Sequence, residues 1–319
     1  MSESMRALDK GQLRGRHLLS LYDFTVDEIR YLLDQAHQLK AAVKNGIYTS
    51  ELQGRSLGMI FENPSTRTRI SFETGMTQLG GHALFLSGRD MQIGRGEPIK
   101  DTASVVTRYV DAVMIRTNSH EEVAEFASFA NCPVINALTD AYHPCQALAD
   151  LMTAEEVHGS LQGKKLAYVG DGNNVSHSLL AAGAKTGMDV SIAAPEGFEP
   201  EGFAIQQAKE AATTTGAKIH IGNDPVEAVT NADVVYTDVW ASMGYESEQS
   251  ERLQAFQPFQ VNAGLMAEAS TEAVFMHCLP AHREEEVSTA VIDGEQSVVY
   301  QQAENRLHVQ KAVLASVIQ

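Results

Sequence analysis

Ser56-Leu57-Gly58-Met59-Ile60-Phe61-Glu62-Asn63-Pro64-Ser65-Thr66-Arg67-Thr68-Arg69 passes from an apolar run through a turn into the polar opening of a helical pattern. A short continuous apolar run is what a strand buried on both faces shows. The helix that follows begins with free N–H groups and the positive end of its dipole, and both favour a bound anion. Three hydroxyls (Ser65, Thr66, Thr68) and two guanidiniums (Arg67, Arg69) occupy that turn. Arginine grips phosphate with paired donors, and serine and threonine add single hydrogen bonds. One such residue marks an ordinary capped helix. Five at a strand-to-helix turn predict a phosphate site.

The same alternation extends both ways. Thr25-x-x-Glu28 is a capping box opening an amphipathic helix (Ile29, Leu32, Leu33, Ala36, Leu39, Val43) that stops at Gly46. Strands are predicted over 57–61, 83–86, 112–115 and 134–135, and helices over 67–79, 99–109 and 121–130. After a helix over 145–157 the pattern restarts, with strands over 165–169, 189–193, 218–221, 234–236, 274–276 and 298–300. A last helix covers 302–318. Alternating strands and helices imply parallel sheets covered on both faces. The expected fold is therefore α/β in two domains, each a parallel sheet with helices on both faces, with the active site in the cleft between them. The boundaries are placed at 1–150 and 151–319, the last helix packing back on the first domain. Sites in such folds lie at the carboxyl ends of strands, where every motif below falls.

Composition narrows the function classes. The 319 residues suffice for two domains with separate cores. No apolar run is long enough to span a bilayer, and Met1 to Arg16 lacks the apolar segment of a signal peptide, so a cytoplasmic location is expected. Cys132, Cys145 and Cys278 show no C-x-x-C spacing, which argues against disulfides and a structural zinc. No metal or cofactor is expected. A net charge of −17 argues against nucleic acid and anionic membranes as partners. It also implies that the few arginines gather at the anion site.

Five further motifs carry candidate chemistry. Arg116 stands just past a strand in Ile115-Arg116-Thr117. His143-Pro144-Cys145-Gln146 sets a histidine and a glutamine at a helix start, where they can hydrogen-bond a carbonyl oxygen and an amide. Asp238-Val239-Trp240-Ala241-Ser242-Met243-Gly244 offers a carboxylate at a strand end followed by small residues able to hinge, and His277-Cys278-Leu279-Pro280 follows another strand. Gly170-Asp171-Gly172-Asn173-Asn174-Val175 opens like a dinucleotide fingerprint but has valine for its third glycine, and Glu196 lies where a ribose-binding acid would sit. That keeps an NAD-dependent dehydrogenase as an alternative.

In this order the motifs resemble the aspartate/ornithine carbamoyltransferase family over nearly the whole chain, from His17-Leu18-Leu19-Ser20-Leu21 to the last helix. The Ser65–Arg69 and His143–Gln146 motifs resemble the carbamoyl-phosphate site common to the family. The Asp238–Gly244 and His277–Pro280 motifs resemble its ornithine-specific branch; an aspartate-specific member would show a Pro-Leu-x-Arg type sequence at the second. Asn63 departs from the lysine common there. The resemblance implies a carbamoyl-phosphate domain followed by an ornithine domain, and transfer of the carbamoyl group from carbamoyl phosphate to the side-chain amine of L-ornithine. The products are citrulline and phosphate, within arginine metabolism. It implies that Ser65, Thr66, Arg67 and Thr68 hold the phosphate, and that Arg116, His143 and Gln146 grip the carbamoyl group. Cys278 and Leu279 line the reacting centre and bind carbamoyl phosphate there, with the Leu279–Pro280 bond cis, and Arg306 returns to carbamoyl phosphate. Asn174, Asp238, Ser242 and Met243 bind the amino-acid head. Arg116, His143, Cys278 and Asp238 are the catalytic set. Gln92 reaches a neighbouring subunit's site, which implies a homotrimer or a multiple of it. Putrescine or N-acetylornithine remain as alternative acceptors.

Overall fold

Runs such as Leu57–Phe61 and Leu166–Val169, apolar at nearly every position, form strands with both faces covered, and two all-parallel sheets result. The structure, a computed structural model, describes residues 11–92, 96–241 and 249–319. The chain divides into two compact units, one running through Thr139 and joined by Leu307–Gln319, the other Asp140–Arg306.

In the first unit the order is α1 (Val26–Lys44), β1 (Ser56–Phe61), α2 (Thr66–Gln78), β2 (His82–Ser87), α3 (Ile99–Val106), β3 (Ala112–Arg116), α4 (His120–Phe129) and β4 (Val134–Leu138). The capping box of α1 is made as its spacing predicts, Thr25 and Glu28 each accepting the other's backbone N–H. That helix buries Ile29, Leu32, Leu33, Ala36 and Leu39. The sheet runs β2-β1-β3-β4. Ile60, Val113 and Ile115 meet Val123 and Phe126 of α4 in one core. Helix α3 stops three residues short of the predicted end, where Thr107 turns its hydroxyl back onto the Ala103 carbonyl (2.7 Å).

The second unit contains α5 (Pro144–His158), β5 (Lys165–Val169), α6 (Asn174–Thr186), β6 (Asp189–Ala193), α7 (Gly202–Thr215), β7 (Ile219–Gly222), α8 (Pro225–Val229), β8 (Val234–Thr237), α9 (Gln249–Phe256), α10 (Ala263–Met266), β9 (Val274–His277) and α11 (Thr289–Ile292). The last helix, α12 (Val299–Val317), contributes its first turns to this unit and the rest to the first. The sheet order is β7-β6-β5-β8-β9. The strand predicted over 298–300 is a correction. Pairing there shrinks to one bridge between Phe275 and Ser297, and α12 starts at Val299. Three apolar residues are too few to hold an edge strand against the helix-forming Gln301-Gln302-Ala303-Glu304 that follows.

Each sheet has one point where the chain reverses its direction of growth. From β1 it builds outward to β2, then crosses to β3 and β4; from β5 it builds to β6 and β7, then crosses to β8 and β9. The amino ends of the central strands serve stability. Asp111 accepts from Arg55 and from the Ser56 N–H (2.8 Å each), and Asp233 does the same for Lys164 and the Lys165 N–H (2.9 Å each). The carboxyl ends at β1/β3 and β5/β8 are left for ligands, as open α/β sheets dictate.

Candidate active site

In the first unit β1 and β3 end level, Phe61 opposite Arg116. The two loops that follow are bonded together: Glu62 N–H donates to the Arg116 carbonyl (3.0 Å), Thr117 donates to the Glu62 carboxylate, and the Asn63 amide donates to Asn118 (2.7 Å). Ser65 then caps α2, its hydroxyl accepting the Thr68 N–H (3.3 Å). Thr66 is exposed, Ser65 and Arg67 are half-buried, and Thr68 is buried. Arg67 has no ion pair among the described residues, so its guanidinium is available to an anion. Arg116 is buried at the end of β3. Arg69 does not join this group. It pairs with Glu73 (2.9 Å) one turn along α2 and lies 4.0 Å over the ring of Phe85. Gln92 is exposed in the loop after β2, where its carbonyl accepts the Glu97 N–H (3.1 Å).

In the second unit Asp238 follows β8 and is 6 % exposed. One of its oxygens accepts the Asn173 amide (2.9 Å) and the other the Cys278 thiol (3.0 Å). Asn173 is locked in turn as the N-cap of α6, accepting from the Val175 and Ser176 N–H groups. Asn174, the first helical residue, is half-buried beside it. The arrangement presents a fixed buried carboxylate, suited to an ammonium group, next to a thiol. Behind Cys278, the His277 ring accepts the Leu279 N–H at Nδ1 (2.8 Å) and donates from Nε2 to Glu286 (3.2 Å), which makes it a neutral imidazole. Leu279 has φ 59° and its bond to Pro280 is cis. Asp238, His277 and Cys278 lie close enough to share a metal, but both His277 nitrogens are already engaged.

A buried polar network backs the histidine-glutamine motif. His143 caps α5 and its N–H donates to Ser178 (2.7 Å). Gln146 Oε1 accepts from Arg306 (2.8 Å), while Nε2 donates to Asp150 (2.8 Å). Both His143 and Gln146 belong by packing to Asp140–Arg306 rather than to the unit that carries Ser65. Cys145 points into the core, where burial pushes its thiol up to about 12 and keeps it unreactive.

Ser242, Met243 and Gly244 lie outside the described residues. Arg252 is buried, pairs with Asp171 (3.0 Å) and donates to the Trp240 carbonyl (2.9 Å). Sequence reasoning missed Asn173, Asp150, Gln302 and Arg252. Asp150 was within reach, four residues from Gln146 and so on one helical face; nothing around Arg252 marked it. The dinucleotide alternative fails on local geometry. The Gly172 N–H donates to the Phe198 carbonyl (2.8 Å), and a Cβ there would lie 2.2 Å from the Glu199–Pro200 backbone. The chain itself fills the space a pyrophosphate needs.

Two family descriptions match the chain in sequence. "Aspartate/ornithine carbamoyltransferase, carbamoyl-P binding domain" matches residues 16–156, and "Aspartate/ornithine carbamoyltransferase, Asp/Orn binding domain" matches 162–317. An ornithine carbamoyltransferase of Halalkalibacterium halodurans is 64% identical over 306 residues, covering 96% of each chain. That of Bacillus subtilis is 54% identical over 314 residues, 98% of this chain and 97% of its own. The solved ornithine carbamoyltransferase of Pyrococcus furiosus superposes with a TM-score of 0.94 at 55% identity, over 96% of this chain and 98% of that one.

Proposed function

The chain belongs to the aspartate/ornithine carbamoyltransferase family, and on that premise we propose that it moves the carbamoyl group of carbamoyl phosphate to the side-chain amine of L-ornithine. Citrulline and phosphate are the products. The observation that carries ornithine over aspartate is Asp238, a buried carboxylate held between Asn173 and Cys278. Buried negative charge welcomes the ammonium of ornithine's amino-acid head and repels the second carboxylate of aspartate. Putrescine has no amino-acid head to use the residues that follow Asp238.

In this reading Ser65, Thr66, Arg67 and Thr68 hold the phosphate at the start of α2, where free N–H groups and the dipole add to the arginine. Arg116, His143 and Gln146 grip the carbamoyl group, with Arg306 behind Gln146. Negative charge grows on the carbonyl oxygen as the amine attacks, and donors already in position lower that barrier without reorganising. Arg67 and Arg116 stabilise the departing phosphate. The amine must be neutral to attack, although its pKa of about 10 keeps it charged in water at pH 7; desolvation at the site favours the neutral form. Asp238 and Cys278 orient the α-amino group, and Asn174, Ser242 and Met243 complete the head site.

A homotrimer, with Gln92 serving a neighbouring site, is part of the same proposal. Its support is the edge strand β2, where Leu84 and Phe85, with Ile70 of α2, expose apolar side chains. Uncovered apolar edges invite association. A sedimentation mass of one chain at assay concentration would remove the trimer. No helix of the described residues is long and apolar enough to cross a membrane, and a cytoplasmic location is the matching proposal. For the reaction itself, purified protein given carbamoyl phosphate and L-ornithine should release citrulline and phosphate in equal amounts. Phosphate without citrulline would refute it.

A further inference from the structure

Asp150 lies one turn beyond Gln146 on α5 and is 2 % exposed. Its Oδ1 accepts the side-chain amides of Gln146 (2.8 Å) and Gln302 (2.7 Å). Gln302 also donates to the Tyr236 hydroxyl (3.0 Å), and its Oε1 accepts the His277 N–H (3.0 Å). A side-chain amide has two donor hydrogens and one acceptor oxygen. For Gln302 all are committed. Gln146 gives one hydrogen to Asp150 and its oxygen to Arg306, which leaves its second N–H as the donor it can offer a substrate. One buried carboxylate thus fixes the orientation of Gln146 and, through Gln302, the backbone at the end of β9 that carries Cys278.

We propose that ionised Asp150 is a positioning residue for carbamoyl transfer, orienting Gln146 and Arg306 on one side and the His277–Cys278 backbone on the other. The proposal rests on the reaction given above. Few charges face Asp150. Arg306 approaches from α12 and Tyr236 from β8, the His277 ring on β9 is neutral, and Gln146 and Gln302 carry no charge. On its remaining side lies a small cavity lined by Leu166, Leu179, Met188 and Val190. Burial accordingly pushes its carboxyl up to about 7, against the opposing pull of Gln146, Gln302, Arg306 and Tyr236. Protonation on Oδ2, which has no hydrogen-bond partner among the described residues, removes the charge that strengthens both hydrogen bonds at Oδ1, so the site should slacken as pH falls through neutrality.

The test measures kcat/KM for carbamoyl phosphate at saturating ornithine from pH 6 to 9. The wild type should show a rising limb with its midpoint near 7. Asp150→Asn, corrected for active-site content, should lose about 10- to 100-fold at pH 8 and show no limb. Gln302→Met removes one hydrogen bond that favours the carboxylate, so its limb should move to higher pH. An Asp150→Asn enzyme with wild-type values and an intact limb overturns the proposal. So does a loss that only mirrors a smaller folded fraction. Should Asp150→Asn fail to fold, an unmoved limb in Gln302→Met overturns it instead. A wild type that makes no citrulline refutes the reaction, whereas undiminished turnover in Asp150→Asn refutes only the positioning role.

Discussion

Arg67 and Arg69 stand two residues apart on α2 and have different surroundings. Arg69 is taken up by Glu73 and the Phe85 ring, whereas Arg67 keeps its guanidinium for an anion. The sequence counts them as one cluster, because spacing alone cannot tell which arginine finds a partner one turn away. Arg67→Ala should therefore lower kcat/KM for carbamoyl phosphate by about 1000-fold or more, since phosphate binding and leaving-group stabilisation vanish together. Arg69→Ala should stay within about tenfold, its exposed ion pair contributing little. Steady-state kinetics on both variants checks this, and equal losses would contradict it. Cys278 is separable in the same way. Its thiol donates to Asp238, so Cys278→Ala should raise the ornithine KM several-fold and more than the carbamoyl-phosphate KM. An unchanged ornithine KM would remove Cys278 from the amino-acid site.

At the scale of elements, most strands and helices were legible because alternation between short apolar runs and helical periodicity survives without any knowledge of neighbours. The failures have local causes. Residues 298–300 read as a strand because three apolar residues fit the pattern, yet α12 claims them once Phe275 has made its single bridge with Ser297. Asn173 went unnoticed because its adjacent twin Asn174 matched the expected motif, while N-cap geometry gives Asn173 the bond to Asp238. Strand β2 is the element with a prediction of its own. It is a parallel edge strand, yet Leu84 and Phe85 remain about two-fifths exposed. If the proposed trimer forms through this face, Phe85→Glu should break it by placing charge where association would bury it. Light scattering should then report a smaller particle. A full-sized trimer would move the subunit contact elsewhere.

For the whole molecule, the two sheets follow one plan. Each has a stabilising aspartate at the amino ends of its central strands and its candidate site residues at the carboxyl ends where growth reverses. The proposed phosphate site in the first unit is suggested by single residues, because hydroxyls and an arginine at a helix start state their chemistry openly. The proposed amino-acid site in the second unit is legible only in part, since Asp238 stands out at a strand end while its bonds to Asn173 and Cys278, far from it in the chain, do not show in the spacing. The central claim is the choice of acceptor, and one competition measures it. With saturating carbamoyl phosphate, kcat/KM is determined for L-ornithine, putrescine, N-acetylornithine and L-aspartate. Ornithine should exceed each of the others by at least about 100-fold, because a site built to pair a polar head rejects analogues that leave its buried groups unpaired. Equal or faster carbamoylation of aspartate, putrescine or N-acetylornithine would contradict the account.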